Sequence, residues 1–167
     1  MYYCTYKCPL GYIYLVSDGE NLCGCYLEGQ KYFPNNMNKY LFKEELTIFV
    51  NAKKWLERYF NGENTIVEKI PLKFNGSEFR NQVWKVLETI SYGETVTYKE
   101  ISEIIAYNKG VKNISSQAVG GAVGKNPLLI FIPCHRVIGS DGNLTGYAAG
   151  LENKKFLLNL ESDNNSY

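Results

Sequence analysis

The sequence predicts an α/β (α+β) chain. A small N-terminal antiparallel sheet with one helix precedes a mainly helical C-terminal domain that contains a helix-turn-helix. Three observations predict it. Residues 2–32 read as strands, broken by the turns Pro9-Leu10-Gly11 and Ser17-Asp18-Gly19. Residues 43–60 and 78–90 carry apolar side chains at helical spacing. Beyond Thr97, two short helical stretches flank a turn with Gly110. A chain of 167 residues suits one domain, or two small ones sharing an interface, and can fold without disulfide staples. The division is expected between residues 1–75 and 76–167.

In chain order, Tyr12-Ile13-Tyr14-Leu15-Val16 and residues 22–27 are the clearest strands of the meander. Residues 35–38 make a polar break. Leu46, Phe49, Val50, Leu56 and Phe60 mark the apolar face of a helix over 43–60, and Asn61-Gly62 stops it, since both tolerate left-handed backbone. Residues 66–74, with Pro71, read as an extended linker. Phe79, Val83, Trp84, Leu87 and Ile90 face one way on a helix over 78–90 that Tyr92-Gly93 closes. Thr97 and Glu100 form a capping box for a helix that continues through Ile101, Ile104 and Ile105.

Ser115 or Ser116 opens the next helix, which carries Ala118, Val119, Ala122 and Val123. Its Gly120, Gly121 and Gly124 each cost about 1 kcal/mol against alanine. That cost makes sense where the backbone closely approaches either a packed element or a nucleic-acid groove. Residues 130–132 are a strand-like run that Pro133 ends. Residues 139–146 are turn-rich and 147–150 form a small-residue loop. A closing helix over 151–160 places Phe156, Leu157 and Leu160 on its apolar side, and the polar tail 162–167 should fray.

A mean hydropathy of -0.27 with 45% hydrophobic residues fits a soluble globular chain. No run of eighteen apolar residues exists, and Met1-Tyr2-Tyr3-Cys4 does not open a signal peptide, so a cytoplasmic protein is expected. In such a reducing compartment the five cysteines are free thiols or metal ligands. Cys4, Cys8, Cys23 and Cys25 could meet around zinc on adjacent strands, or could face a small apolar core. The core reading is preferred, and no metal is expected. A net charge of +1 says little about nucleic acid, for which a local patch suffices.

The chemistry concentrates in Ile-Phe-Ile-Pro-Cys-His-Arg-Val, residues 130–137, which holds the one histidine of the chain. A thiol beside an imidazole, mounted behind a proline, suggests an activated nucleophile, because the thiolate is the reactive form. Alone, the Cys134-His135 pair is better read as a buried inert cysteine next to a surface histidine.

The wider pattern is more specific. Ala118-Val119-Gly120-Gly121-Ala122, Asn126-Pro127, Ile132-Pro133-Cys134-His135-Arg136-Val137 and Gly146-Tyr147-Ala148-Ala149-Gly150-Leu151 follow in order, then Lys154 or Lys155, Leu157-Leu158 and Glu161. Upstream stand Phe79, Val83-Trp84, Tyr92-Gly93-Glu94-Thr95 and Tyr98. This run, over residues 76–161, resembles the signature of methylated-DNA–protein-cysteine methyltransferases. The resemblance implies a winged-helix-like helix-turn-helix with an active-site cysteine loop. It also implies irreversible, single-turnover transfer of an alkyl group from O6-alkylguanine in double-stranded DNA to Cys134. A monomer that approaches the minor groove and needs no cofactor and no membrane is expected.

The resemblance assigns roles as well. His135 would be the base, Glu161 its orienting carboxylate, Asn126 the hinge amide between helix and cysteine loop, and Tyr98 a phosphate contact and proton source. Backbone at Cys134, Val137 and Ala148 would read the extruded guanine, with Tyr147 and Ala149 completing the pocket. Ser116, Gln117, Ala118, Gly121, Lys125 and Arg136 would face DNA. Bland readings stand beside three of these: Asn-Pro is a common turn starter, Glu161 could be a solvated helix-end glutamate, and Arg136 could be structural.

Gln117 departs from the family's arginine, which takes the place of the flipped base. Ala149 stands where many members have glycine, and the turn before Ser115 looks longer. A non-catalytic lesion-binding protein and a thiol hydrolase are the alternative functions. The intact Cys134 argues against the first, and the helix-turn-helix against the second.

Overall fold

The computed structural model describes residues 1–65 and 70–163. Residues 66–69 of the expected linker and 164–167 of the tail lie outside the described residues. Strands β1 (Tyr2–Cys8), β2 (Gly11–Ser17) and β3 (Leu22–Leu27) form the antiparallel meander. A two-residue strand β4 (Leu41–Phe42) joins it parallel to β1, giving the order β3-β2-β1-β4. β4 is too short to show any alternation in the sequence.

Cys4, Ile13, Leu15, Cys25 and Leu27 are buried, as is one face of helix α1 (Thr47–Phe60). The helix starts at Thr47 rather than at 43 because the preceding chain stays extended. Lys43 donates its backbone N–H to Tyr3 O (2.9 Å), and Leu46 is an extended N-cap with no side-chain bond. The later start turns Val50 outward and brings Ile48, Ala52, Trp55 and Tyr59 inward beside Phe49 and Leu56. All five cysteines are free. Among the described residues, no three His, Cys, Asp or Glu side chains gather as a metal site would require.

The C-terminal half is stitched directly to the open edge of the sheet. Cys25 N donates to Pro127 O (2.8 Å) and Leu129 N to Cys25 O (3.0 Å). Leu22 pairs in the same way with the chain at Pro71 and Lys73. The segment leading to Cys134 is therefore docked on β3, which also protects that strand's unpaired groups.

Helix α2 (Glu78–Leu87) is capped by Ser77, and Ile90 is buried just beyond its end. Strand β5 (Val96–Thr97) leads into α3 (Tyr98–Lys109), where the Thr97–Glu100 capping box forms and Gly110 closes the helix at φ 64°. Ile101 and Ile105 are buried, whereas Ile104 is exposed. Helix α4 (Ser116–Val123) is capped by Ser115 and packs on α2, with Trp84 Nε1 donating to Ala122 O (2.9 Å).

The 130–132 run is a tight turn and not a strand: Ile130 adopts φ 71°, and Leu129 bridges only to Ile132. A β-branched residue in the left-handed region is uncommon and costs on the order of 1–3 kcal/mol. Burial of Ile130 and Phe131 holds it there. Strand β6 (Val137–Ile138) pairs in parallel with β5. Helix α5 (Leu151–Asp163) buries Lys154, Leu157 and Glu161, leaves Leu160 half-buried and exposes Phe156. Its inward stripe is thus partly charged. Among the described residues, no helix is long and apolar enough to cross a membrane.

Candidate active site

Pro133 (φ -79°, ψ 62°) ends the tight turn and starts a 3-10 turn over Cys134–Arg136, which buries all three side chains. The Cys134 thiol accepts a hydrogen bond from Asn126 Nδ2 (3.1 Å). The same Nδ2 donates to Ile132 O (2.8 Å), and Asn126 Oδ1 accepts from Leu128 N (3.0 Å). One buried amide thus joins the end of α4 to the cysteine turn, which is more than a turn starter requires.

His135 is fully buried, and its Nε2 lies 2.6 Å from Glu161 Oε1. Since the carboxylate can only accept, Nε2 carries the proton and Nδ1 keeps its lone pair. Among the described residues Nδ1 has no hydrogen-bond partner. Burial lowers the His135 pKa and outweighs the pull of Glu161, so the resting imidazole is neutral.

Burial works to raise the Glu161 carboxyl, but hydrogen bonds and charge from His135 and Arg136 hold it well below the usual carboxylate range. Arg136 Nε donates to Oε2 (2.8 Å), its second terminal nitrogen to Oε1 (3.0 Å), and its first to Ile90 O (2.6 Å). Gly93 N and Tyr59 OH complete the carboxylate's partners at 3.1 and 2.7 Å. Glu161 is therefore a buried orienting group and not a solvated helix end. The expectation that Arg136 faces DNA is corrected: its guanidinium is spent inside the protein as the counter-charge of Glu161.

Burial pushes Cys134 up to about 11, against the lowering effects of Asn126 and Lys154, so the resting group is a thiol and must be deprotonated on demand. The structure decides between the two candidate lysines of the motif: Lys154 is buried, donates to Val137 O (2.6 Å) and Thr145 O (2.9 Å), and is pushed down to about 8 by burial, whereas Lys155 is exposed. One side chain escaped the sequence reading. Tyr59 reaches from α1 into the Glu161 cluster, and a tyrosine on an apolar helix face was its only signal.

Outside this network lies a cleft of ≈ 680 Å³ lined by Gln117, Gly120, Gly121 and Gly124 of α4, by Tyr98, and by the 145–148 loop. Ser116 lines it too, and its hydroxyl sits 3.4 Å from that of Ser102. A side chain at Gly121 would meet nothing within 4 Å, so the glycines leave this helix face bare, while Gly120 rests on the Tyr98 ring. Ala118 and Lys125 are exposed beside it. Tyr98 OH donates to Thr145 O (2.9 Å). The Tyr147 hydroxyl is buried without a partner, and Ala149 is buried. Val137 O and Ala148 O each already accept one bond, from Lys154 and from Lys31 N, and each keeps a second lone pair.

Fold and site define a DNA-binding protein with a buried cysteine next to a hydrogen-bonded histidine–glutamate pair. Residues 78–163 match the model of the 6-O-methylguanine DNA methyltransferase DNA binding domain, and residues 1–74 that of its ribonuclease-like domain. The methylated-DNA–protein-cysteine methyltransferase of Haemophilus influenzae is 44% identical over 161 residues, covering 96% of this chain and 86% of that protein. The one from Methanosarcina barkeri is 44% identical over 167 residues, covering 98% and 99%. The crystal structure of Mycobacterium tuberculosis OGT in complex with DNA superposes with a TM-score of 0.87 at 38% identity, covering 98% of this chain and 94% of that one. The chain belongs to the methylated-DNA–protein-cysteine methyltransferase family. It is a DNA-repair alkyltransferase that works through a cysteine.

Proposed function

We propose that this protein removes the alkyl group from O6-alkylguanine in double-stranded DNA by irreversible transfer to Cys134, one equivalent per molecule. The observation that carries the reading is the Cys134 thiol held by Asn126, beside the neutral His135 backed by Glu161, behind a cleft walled by the bare face of α4. Small residues suit the narrow minor groove, where bulky side chains would hold the backbone away. A stacked guanine cannot present its O6 substituent to a buried thiol, so the nucleotide is extruded into the cleft.

The steps balance with side chains and solvent water. His135 Nδ1 makes no direct bond to the thiol, so it takes the proton of Cys134 through a water, and Glu161 stabilises the resulting imidazolium. The thiolate forms the new S–C bond as the C–O6 bond breaks. The electron pair of that broken bond leaves on guanine, which takes a proton from Tyr98 in the cleft wall; water then reprotonates Tyr98 and accepts the proton held by His135. A thioether has no good leaving group, so the protein is consumed. No step calls for a cofactor. The reading places the protein in the cytoplasm as a monomer whose partner is DNA.

Incubation with a duplex holding one O6-methylguanine should add a single methyl to the intact protein, on the Cys134 peptide, with repair stopping at one equivalent. Continued turnover would sink the proposal. Duplex binding without any mass gain would assign a binding-only protein instead.

Two further results are expected. The single-turnover rate with free O6-benzylguanine should fall at both ends of the pH range. On the acid side, His135 loses its basic lone pair as pH drops through a value below 6.5. On the alkaline side, Lys154 loses the charge that supports the thiolate as pH rises through about 8. Simple ionisation of a thiol near 11 would instead raise the rate throughout, so a steady climb to pH 10 would contradict the roles of both residues.

Gln117→Arg should speed duplex repair by about tenfold, because unstacking costs a few kcal/mol and glutamine offers no guanidinium to fill the gap. Reaction with the free base should hardly change, since Gln117 is an exposed residue of the cleft wall and no part of the Cys134 network. An unchanged duplex rate would show that glutamine or a neighbouring lysine already suffices.

A further inference from the structure

We infer that Lys31-Tyr32 of the N-terminal domain, with Lys125 just past the C-terminal end of α4, forms a second DNA-gripping element that binds the lesion strand at that edge of the cleft. The inference rests on the alkyltransferase reading above. Lys31 and Tyr32 line the same cleft as Gln117 and Gly121, although they belong to the loop after β3.

That loop is rigidly mounted. Gln30 is buried, and its Oε1 accepts from Leu27 N (2.7 Å). Phe33 packs edge-on against Tyr14 and Tyr26, at 5.1 and 6.1 Å between centroids. Lys31 N donates to Ala148 O (2.9 Å), tying the loop to the wall of the base pocket.

Between these anchors Tyr32 adopts φ 64° while remaining 51% exposed. A left-handed backbone is unfavourable for an aromatic residue, and strain kept at an exposed position with firm anchors on either side points to use. The Tyr32 ring is flanked by two ammonium groups, with Lys31 Nζ 5.0 Å and Lys125 Nζ 5.8 Å from its centroid. Among the described residues, no Asp or Glu lines the cleft. On a chain of net charge +1, this is a local cationic patch with an aromatic platform at its centre.

An aromatic face flanked by cations is how proteins hold unpaired nucleic acid: rings stack on nucleotides while ammonium groups pair with phosphates. We therefore assign Tyr32 to stack on the nucleotide next to the extruded guanine. Lys31 and Lys125 pair with the phosphates that flank it. The lysines supply charge that neutral Gln117 does not, but neither inserts into the base stack, so the element complements the missing arginine without replacing it.

The test compares wild type with Lys31→Ala, Lys125→Ala and Tyr32→Gly, the last of which accommodates φ 64° without strain. Dissociation constants for an O6-methylguanine duplex are measured across a range of salt concentrations, beside thermal melts. Each lysine variant should flatten the plot of log affinity against log salt by about 1. Tyr32→Gly should weaken binding by about fivefold or more while its melting temperature holds. Wild-type affinity and salt slope in all three would overturn the inference, as would a Tyr32→Gly protein that loses melting temperature and keeps its affinity. If wild type itself neither bound nor dealkylated the duplex, the alkyltransferase reading would fail first, and the two failures are thus distinguishable.

Discussion

Cys134→Ser should lose alkyl transfer by at least about 10³-fold while still binding the lesion-containing duplex. A serine hydroxyl is far harder to ionise than a thiol and is a poorer nucleophile toward an alkyl carbon. The substitution is nearly isosteric, and the bond that Sγ accepts from Asn126 Nδ2 (3.1 Å) can pass to a hydroxyl oxygen. The 3-10 turn and the cleft should therefore persist. Two assays decide it: intact mass after incubation with the methylated duplex, and duplex affinity by titration. A methylated Cys134→Ser protein would move the acceptor elsewhere. Loss of binding along with transfer would mean that the thiol holds the cleft together, contrary to its role as acceptor.

Glu161→Gln should damage both stability and chemistry. Glu161 is fully buried and takes bonds from His135, Arg136, Tyr59 and Gly93. Removing its charge strands the Arg136 guanidinium in the interior, and breaking a buried pair in this way costs about 3–5 kcal/mol. For a chain of this size the melting temperature should drop by on the order of 10 °C. His135 would lose the group that fixes its tautomer and balances its imidazolium, so the rate with free O6-benzylguanine should fall by about 10²-fold or more.

The pH dependence follows the same logic. The folded pKa of Glu161 is depressed below the ordinary 4.5, so the stabilisation from this cluster is complete above that pH. It is lost as pH falls through the depressed folded value. The glutamine variant should lack this acid-side slope. Melts from pH 3 to 7, with the single-turnover rate at pH 7, check both effects. A variant that melts and reacts like wild type would remove Glu161 from the site.

How far the sequence reached depended on how local each feature is. Hairpin turns, the Thr97–Glu100 capping box and the Gly110 stop are decided within a few residues, and each forms as the sequence alone requires. The nucleophile was legible for the same reason, because proline, cysteine and histidine are contiguous. Edges of helices were less legible. α1 starts at Thr47 because Lys43 bonds back to Tyr3, forty residues away in sequence (43 − 3 = 40), and no propensity encodes that partner.

The site's support was decided by tertiary structure alone. Tyr59 and Glu161 meet across 102 residues, and Arg136 is turned inward by a carboxylate on another helix. A surface reading of Arg136 was reasonable for an arginine met as one letter in a motif. Burial also sets the resting protonation of the nucleophile: desolvation in the folded chain keeps Cys134 a thiol. Sequence thus determined which atoms react. The packing of two halves across β3 determined their charge, because desolvation and long-range pairing exist only once the chain has closed on itself.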